Sequence, residues 1–170
     1  MNAHMLAAAA IAGFVSTSAN SAGANSAGPE YRDLVDRYYS QFQQPGFTVD
    51  RLLAFYAEDV EFSDPTFEIR VSGRDGVRSL YVDIGTERTN YRDIVWNIDR
   101  VLIDGNDVAI NGRWSGVFYQ CPFDVEFVTL WRLEGGLIAE QRDFFAASTF
   151  DRQVNWNKVA GRPDCDNAPR

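Results

Sequence analysis

From Tyr91 onward the apolar residues of this chain stop recurring at helical spacing and begin to alternate. The alternation runs through four long segments, at about residues 91 to 103, 107 to 119, 123 to 133 and 137 to 145. Turn chemistry separates them: Asp104-Gly105-Asn106, Cys121-Pro122 and Glu134-Gly135-Gly136. Links this short make consecutive strands antiparallel. Gly112 and Gly116 fall inside the second segment, where glycine marks a bend or a bulge.

Ahead of the strands the period is helical. Pro29 opens a helix with Tyr31, Leu34, Val35, Tyr38, Tyr39 and Phe42 on one face, and Pro45-Gly46 ends it. A second short helix has Thr48 as cap, Asp50 in its first turn, and Val49, Leu52, Leu53 and Tyr56 facing inward. Val60 to Ser63 reads as a short strand. Ser72 and Asp75, at capping-box spacing, start a third helix carrying Val77, Leu80, Tyr81 and Ile84. A last helix is expected over Ala147 to Lys158. Helices first and a curved meander afterwards make an α+β domain in which the helices cover one sheet face. A bent sheet wrapped over helices leaves a concave interior, the usual place for an apolar ligand site with a few polar groups.

The 170 residues suffice for one core. Residues 1–28 read as a leader, 29–159 as one domain and 160–170 as a polar tail. The leader has an apolar run from Leu6 to Val15, then small residues around Ala22-Gly23-Ala24, the pattern of a signal peptide cleaved on export to a periplasmic or extracellular space. It lacks a positively charged start, so a plain disordered tail stays open. The run is too short to span a bilayer. Two cysteines, Cys121 and Cys165, suit one disulfide if the chain is exported.

A net charge of -8 and a pI near 4.6 argue against nucleic acid or anionic lipid as partners. Lys158 is the only lysine and His4, inside the leader, the only histidine. Once the leader is removed, a Ser-His-Asp triad and any imidazole-ligated metal site are excluded. Acid-base chemistry must then use carboxylates, tyrosines or water, with no metal or cofactor expected. Trp96, Trp114, Trp131 and Trp156 read as core or subunit contacts before ligand stackers.

The pair Asp64-Pro65 has two readings. It is either a strand end whose aspartate bonds nearby backbone amides, or a carboxylate aimed into the interior. The order helix, helix, Ala57-Glu58-Asp59-Val60-Glu61-Phe62-Ser63-Asp64-Pro65, Gly73-Arg74-Asp75-Gly76-Val77, long strands, then Gln141-Arg142-Asp143-Phe144-Phe145 resembles the nuclear transport factor 2-like superfamily. Within it, the chain is most similar to the SnoaL-like polyketide cyclases and ketosteroid isomerases over roughly Tyr31 to Asn155. The resemblance implies a cone-shaped antiparallel sheet over N-terminal helices.

By the isomerase pattern Asp64 is the general base and Tyr38 the oxyanion donor, while Phe127 or Thr129 stands where a protonated aspartate would be the second donor. By the cyclase pattern the base is Asp143, oriented by Arg113 or Gln141. Limonene epoxide hydrolases share an acid at that place, but Arg113-Trp114-Ser115 keeps only the arginine of their Arg-x-Asp. In either pattern an apolar cavity raises the carboxyl pKa from its ordinary ~3.9 toward values useful for proton transfer. The structural alternatives are a salt bridge from Asp143 to Arg113 or Arg142, and a core stripe for Tyr38 and Tyr39. The function implied is a cofactor-independent isomerase or cyclase acting on a small apolar carbonyl compound, against a noncatalytic ligand-binding or protein-interaction domain of the same fold. A homodimer is expected through the outer face of the long strands, where alternate apolar residues such as Trp114, Phe118 or Trp131 would be exposed, the outward set being left open by the sequence.

Overall fold

A computed structural model describes residues 27–84, 90–154, 156–157 and 162–163. The expected leader cleavage site, Cys165 of the expected disulfide, and most of the polar tail lie outside these residues.

Helix α1 (Ala27–Gln41) lays Leu34, Val35, Tyr38 and Tyr39 against the core, the spacing of a single helical face. Helix α2 (Val49–Leu53) is shorter than its pattern suggests. The Phe55 amide bonds the Leu52 carbonyl in a tight i to i+3 turn, and Tyr56, expected on the helix, instead begins strand β1 (Tyr56–Asp64). A turn at Pro65–Glu68 then returns the chain as β2 (Ile69–Ser72), a strand the sequence reading lacks. Helix α3 (Gly73–Tyr81) follows. The Ser72 hydroxyl does not cap it: that hydroxyl donates to Glu61 Oε2 at 2.8 Å, its neighbour across the β1–β2 pair.

The four long strands are β3 (Tyr91–Asp104), β4 (Asp107–Phe118), β5 (Cys121–Glu134) and β6 (Leu137–Phe145). Cys121 and Pro122 belong to β5, and the β4–β5 turn sits one step earlier, at Tyr119-Gln120, with Tyr119 at φ 57°. Helix α4 (Ala147–Val154) stops short of Lys158, because Trp156–Asn157 (β7) and Arg162–Pro163 (β8) pair as a small ladder.

The main sheet runs β2-β1-β6-β5-β4-β3. All its pairings are antiparallel except β1 with β6, which is parallel, so the sheet is mixed and not wholly antiparallel. Such a pair needs a long crossover, here supplied by everything between β1 and β6. The expected bends are present, and their bulges lie on β3 opposite the two glycines. A Cβ on Gly112 would sit 2.0 Å from the Asn97 carbonyl oxygen, where the β3 register slips between Ile98 and Arg100. One on Gly116 would sit 2.9 Å from the Arg92 carbonyl, at the second slip between Arg92 and Val95. Each bulge bends β3 over a position with no side chain, curling the sheet's end toward the helices.

Candidate active site

Strict alternation along β5 buries Cys121, Phe123, Val125, Phe127, Thr129, Trp131 and Leu133 on one face. Register carries that face across the sheet. Thr129 lies opposite Asp143, and Trp131 opposite Gln141. In the parallel pair Phe62 neighbours Gln141 and Ser63 neighbours Arg142, so the next step sets Asp64 beside Asp143 on the inner face. The two aspartates that sequence reasoning offered as rivals therefore share one place in the fold, only 4% and 6% exposed.

Their partners differ. Asp64 Oδ1 accepts the backbone amides of Thr66 at 2.9 Å and Phe67 at 3.2 Å, the local turn contact of an aspartate at a strand end. Burial raises its pKa and those amide bonds partly offset the rise. Asp143 Oδ1 accepts the Thr129 hydroxyl at 2.8 Å, and the Gln141 amide nitrogen reaches Oδ1 at 3.1 Å and Oδ2 at 2.9 Å. No arginine pairs with Asp143 among the described residues. Burial, with the neighbouring Asp64 charge as a smaller contribution, pushes its pKa up to about 7, although the two hydrogen-bond donors pull the other way.

Behind Gln141 stands a chain of hydroxyls. Its Oε1 accepts Trp131 Nε1 at 3.2 Å and the Tyr56 hydroxyl at 2.8 Å. Because an indole nitrogen only donates, this side of the amide must be the carbonyl, which turns the NH2 toward Asp143. Tyr56 spends its one hydrogen on Gln141. In the 2.6 Å contact between the Tyr38 and Tyr56 hydroxyls, Tyr38 is therefore the donor. The donors thus point one way, from Tyr38 through Tyr56 and Gln141 to Asp143, an alignment in which each bond polarises the next. Burial, and after it neighbouring charges including Asp143, raises the pKa of Tyr38, Tyr39 and Tyr81. They are neutral donors at physiological pH.

Of the residues singled out from sequence, Asp64, Asp143, Tyr38, Thr129, Gln141 and Phe127 all face the interior. Tyr38 reaches Asp143 only through Tyr56 and Gln141. Phe127 contributes a ring, and Thr129 is the polar group at that place. Arg113 does not belong to the site. It has the opposite strand parity from Val108, Ile110 and Trp114, and its guanidinium bonds Asp124 at 2.9 Å, with Glu126 at 3.8 Å, on the outer face. Gln141 orients Asp143 without it. The outer face also corrects the expected dimer residues: Trp114 and Trp131 are buried in the core, while Leu102, Val128, Leu130 and Phe144 are exposed. Sequence reasoning missed Tyr56 and Trp131 as members of the network. Tyr56 was given to the wrong element, although the parity Thr129, Trp131, Leu133 was enough to turn Trp131 inward.

The profile of the SnoaL-like domain matches residues 35–141, more than half of the chain. No protein of curated function matches the sequence. Among similar solved structures is a protein of ketosteroid isomerase-like fold from Catenulispora acidiphila DSM 44928, crystallised in complex with trimethylamine. It aligns with a TM-score of 0.62 at 20% identity, over 81% of this chain and 98% of that one. A candidate SnoaL-like polyketide cyclase from Jannaschia sp. CCS1 aligns at 0.64 and 16% identity, over 76% and 94% of the two chains. An LEH-like epoxide hydrolase from M. tuberculosis aligns at 0.62 and 17% identity, over 78% and 94%. At these identities the structures speak to the fold, and three differently labelled proteins share it. Since that match spans residues 35–141, from within α1 into β6 and ending two residues before Asp143, the chain belongs to the SnoaL-like domain family, with the nuclear transport factor 2-like fold.

Proposed function

We propose that this chain is a cofactor-independent isomerase or cyclase that moves a proton on a small, largely apolar carbonyl compound, with Asp143 as the proton carrier. The observation behind this reading is a buried carboxyl without a cationic partner, gripped by Thr129 and Gln141, whose pKa is pushed up to about 7. A group that is half ionised near neutral pH can accept a proton from carbon and return it, the requirement for both reaction types. Thr129 and Gln141 fix the carboxyl plane. Asp64 serves the same site as the neighbouring charge that helps lift the Asp143 pKa, while its own Oδ1 stays engaged by backbone amides. The aligned tyrosines steady Gln141.

The reading is tested on cyclic enones and polyketide-like ketones. Asp143→Asn is expected to lower kcat by about 10²- to 10⁴-fold, the usual contribution of a positioned base, and Asp64→Asn by less than about tenfold, because an asparagine oxygen still accepts the Thr66 and Phe67 amides. With Asp143 as base, kcat/KM should rise with pH through a midpoint near 7. Wild-type rates in both variants would end the catalytic reading. A chain that binds such ketones without turning them over would instead be a noncatalytic ligand-binding domain, a reading favoured by the dense ring contacts around Trp96 and Trp114. Exposed Leu102, Val128, Leu130 and Phe144 support a pairing of two copies through the outer sheet face, which light scattering at rising concentration would test.

A further inference from the structure

Trp96 Nε1 is buried and, among the described residues, is the buried side-chain polar atom without a hydrogen-bond partner. A buried N–H that has lost water and gained no acceptor carries a desolvation cost with nothing to offset it. A phenylalanine at this place would fill the same wall of rings without that cost. The wall consists of Tyr39, Phe42, Trp114 and Phe127, with ring centroids 5.3, 5.7, 5.7 and 4.9 Å from that of Trp96. Aromatic faces accept an N–H only weakly. The wall adjoins the aspartate site, because the Phe127–Phe145 pair is the next inward rung after Thr129–Asp143.

We propose that Trp96 Nε1–H is the donor that holds an acceptor oxygen of a flat, largely apolar ligand, a ketone or enone. This rests on the reading of Asp143 as proton carrier and extends it to the other end of the ligand. Tyr38 is poorly placed for that task, because its hydrogen is committed to Tyr56. The rings stack on the ligand's faces, and the indole N–H distinguishes a carbonyl from the matching hydrocarbon.

The test uses full-length protein with ¹⁵N-labelled tryptophan, and two probe pairs: 2-cyclohexenone with cyclohexene, and 1-tetralone with tetralin. The Trp96 indole signal, identified by its loss in Trp96→Phe, should move downfield with the ketones and stay in place with the hydrocarbons. Trp96→Phe should bind 1-tetralone about tenfold or more weakly, the effect of one lost hydrogen bond to a ligand. It should bind tetralin nearly as the wild type does, because that pair differs only by the carbonyl, while the smaller ring lowers Tm by the contacts it gives up. An indole signal that ignores both ketones, or equal 1-tetralone affinity in the two proteins, would overturn the proposal. Asp143→Asn separates the two readings. If it leaves both the Trp96 response and turnover intact, the proton-transfer reading fails while this one stands.

Discussion

Replacing Asp143 with asparagine isolates what the buried charge costs the fold. In the folded chain Asp143 keeps its proton to about pH 7, whereas in the unfolded chain it releases it above the ordinary 3.8. Between those values the folded state binds more protons than the unfolded state, so this group's contribution to stability falls as pH rises. Below 3.8 both states are protonated and the cost vanishes; above 7 it is fully expressed. The interval spans about three pH units, and at 1.36 kcal/mol per unit the loss comes to ~4 kcal/mol. Asparagine cannot ionise, so its profile lacks this slope. The substitution also turns an NH2 toward the Gln141 NH2, a donor against a donor, at a cost of about 1–2 kcal/mol that does not depend on pH. Urea unfolding of both proteins, followed by circular dichroism at pH 4 and pH 8, separates the two effects, because every carboxylate except the coupled Asp64 cancels in the difference. The stability difference should swing by up to ~4 kcal/mol in favour of Asp143→Asn on going to pH 8. A difference that stays constant within about 1 kcal/mol across that range would show that Asp143 titrates like an exposed carboxylate, and the argument from burial would fail.

Gln141→Leu strands the Tyr56 hydroxyl and the Trp131 N–H, so it should cost about 3 kcal/mol in urea unfolding. By removing a donor that stabilises the charged form, it should also move the Asp143 carboxyl titration, followed by ¹³C NMR, to higher pH. Gly112→Ala drives a methyl into the Asn97 carbonyl and should lower stability by more than about 3 kcal/mol, whereas Gly105→Ala, with φ +60 and nothing near its Cβ, should cost about 1 kcal/mol in the same assay. Arg113→Ala should leave the urea midpoint and any turnover unchanged within error, because it removes only a solvent-facing pairing with Asp124 and Glu126.

The long strands were legible to within two residues because one face of each is buried, and burial enforces alternation. β2 was not: Ile69 and Val71 are too few to establish a period, and the strand exists because β1 turns back at Pro65–Glu68 to hydrogen-bond it. The parallel pairing of β1 with β6 leaves no local trace, yet it is what brings Asp64 and Asp143 together, and so two candidates from different family patterns looked like competitors. Tyr56 fits a helical face by spacing from Leu52 and Leu53, and only the turn at Phe55 moves it into a strand. The faces of Arg113, Trp114 and Trp131 were within reach of the sequence. Counting parity from Val108 and Ile110 on β4, or from Phe127 and Thr129 on β5, assigns all three to their observed faces.

The one-way run of donors ending on Asp143 also decides where its proton can go. A carboxamide does not pass a proton along without becoming its high-energy imidic tautomer, so Gln141 acts as an insulator between Asp143 and the tyrosines. On the other side, the Thr129 hydroxyl that donates to Asp143 is itself buried. Neither route opens to water. A hydrogen lifted from a bound ketone would stay trapped on the carboxyl until it is handed back, and in heavy water a substrate should therefore reach product carrying most of its original hydrogen.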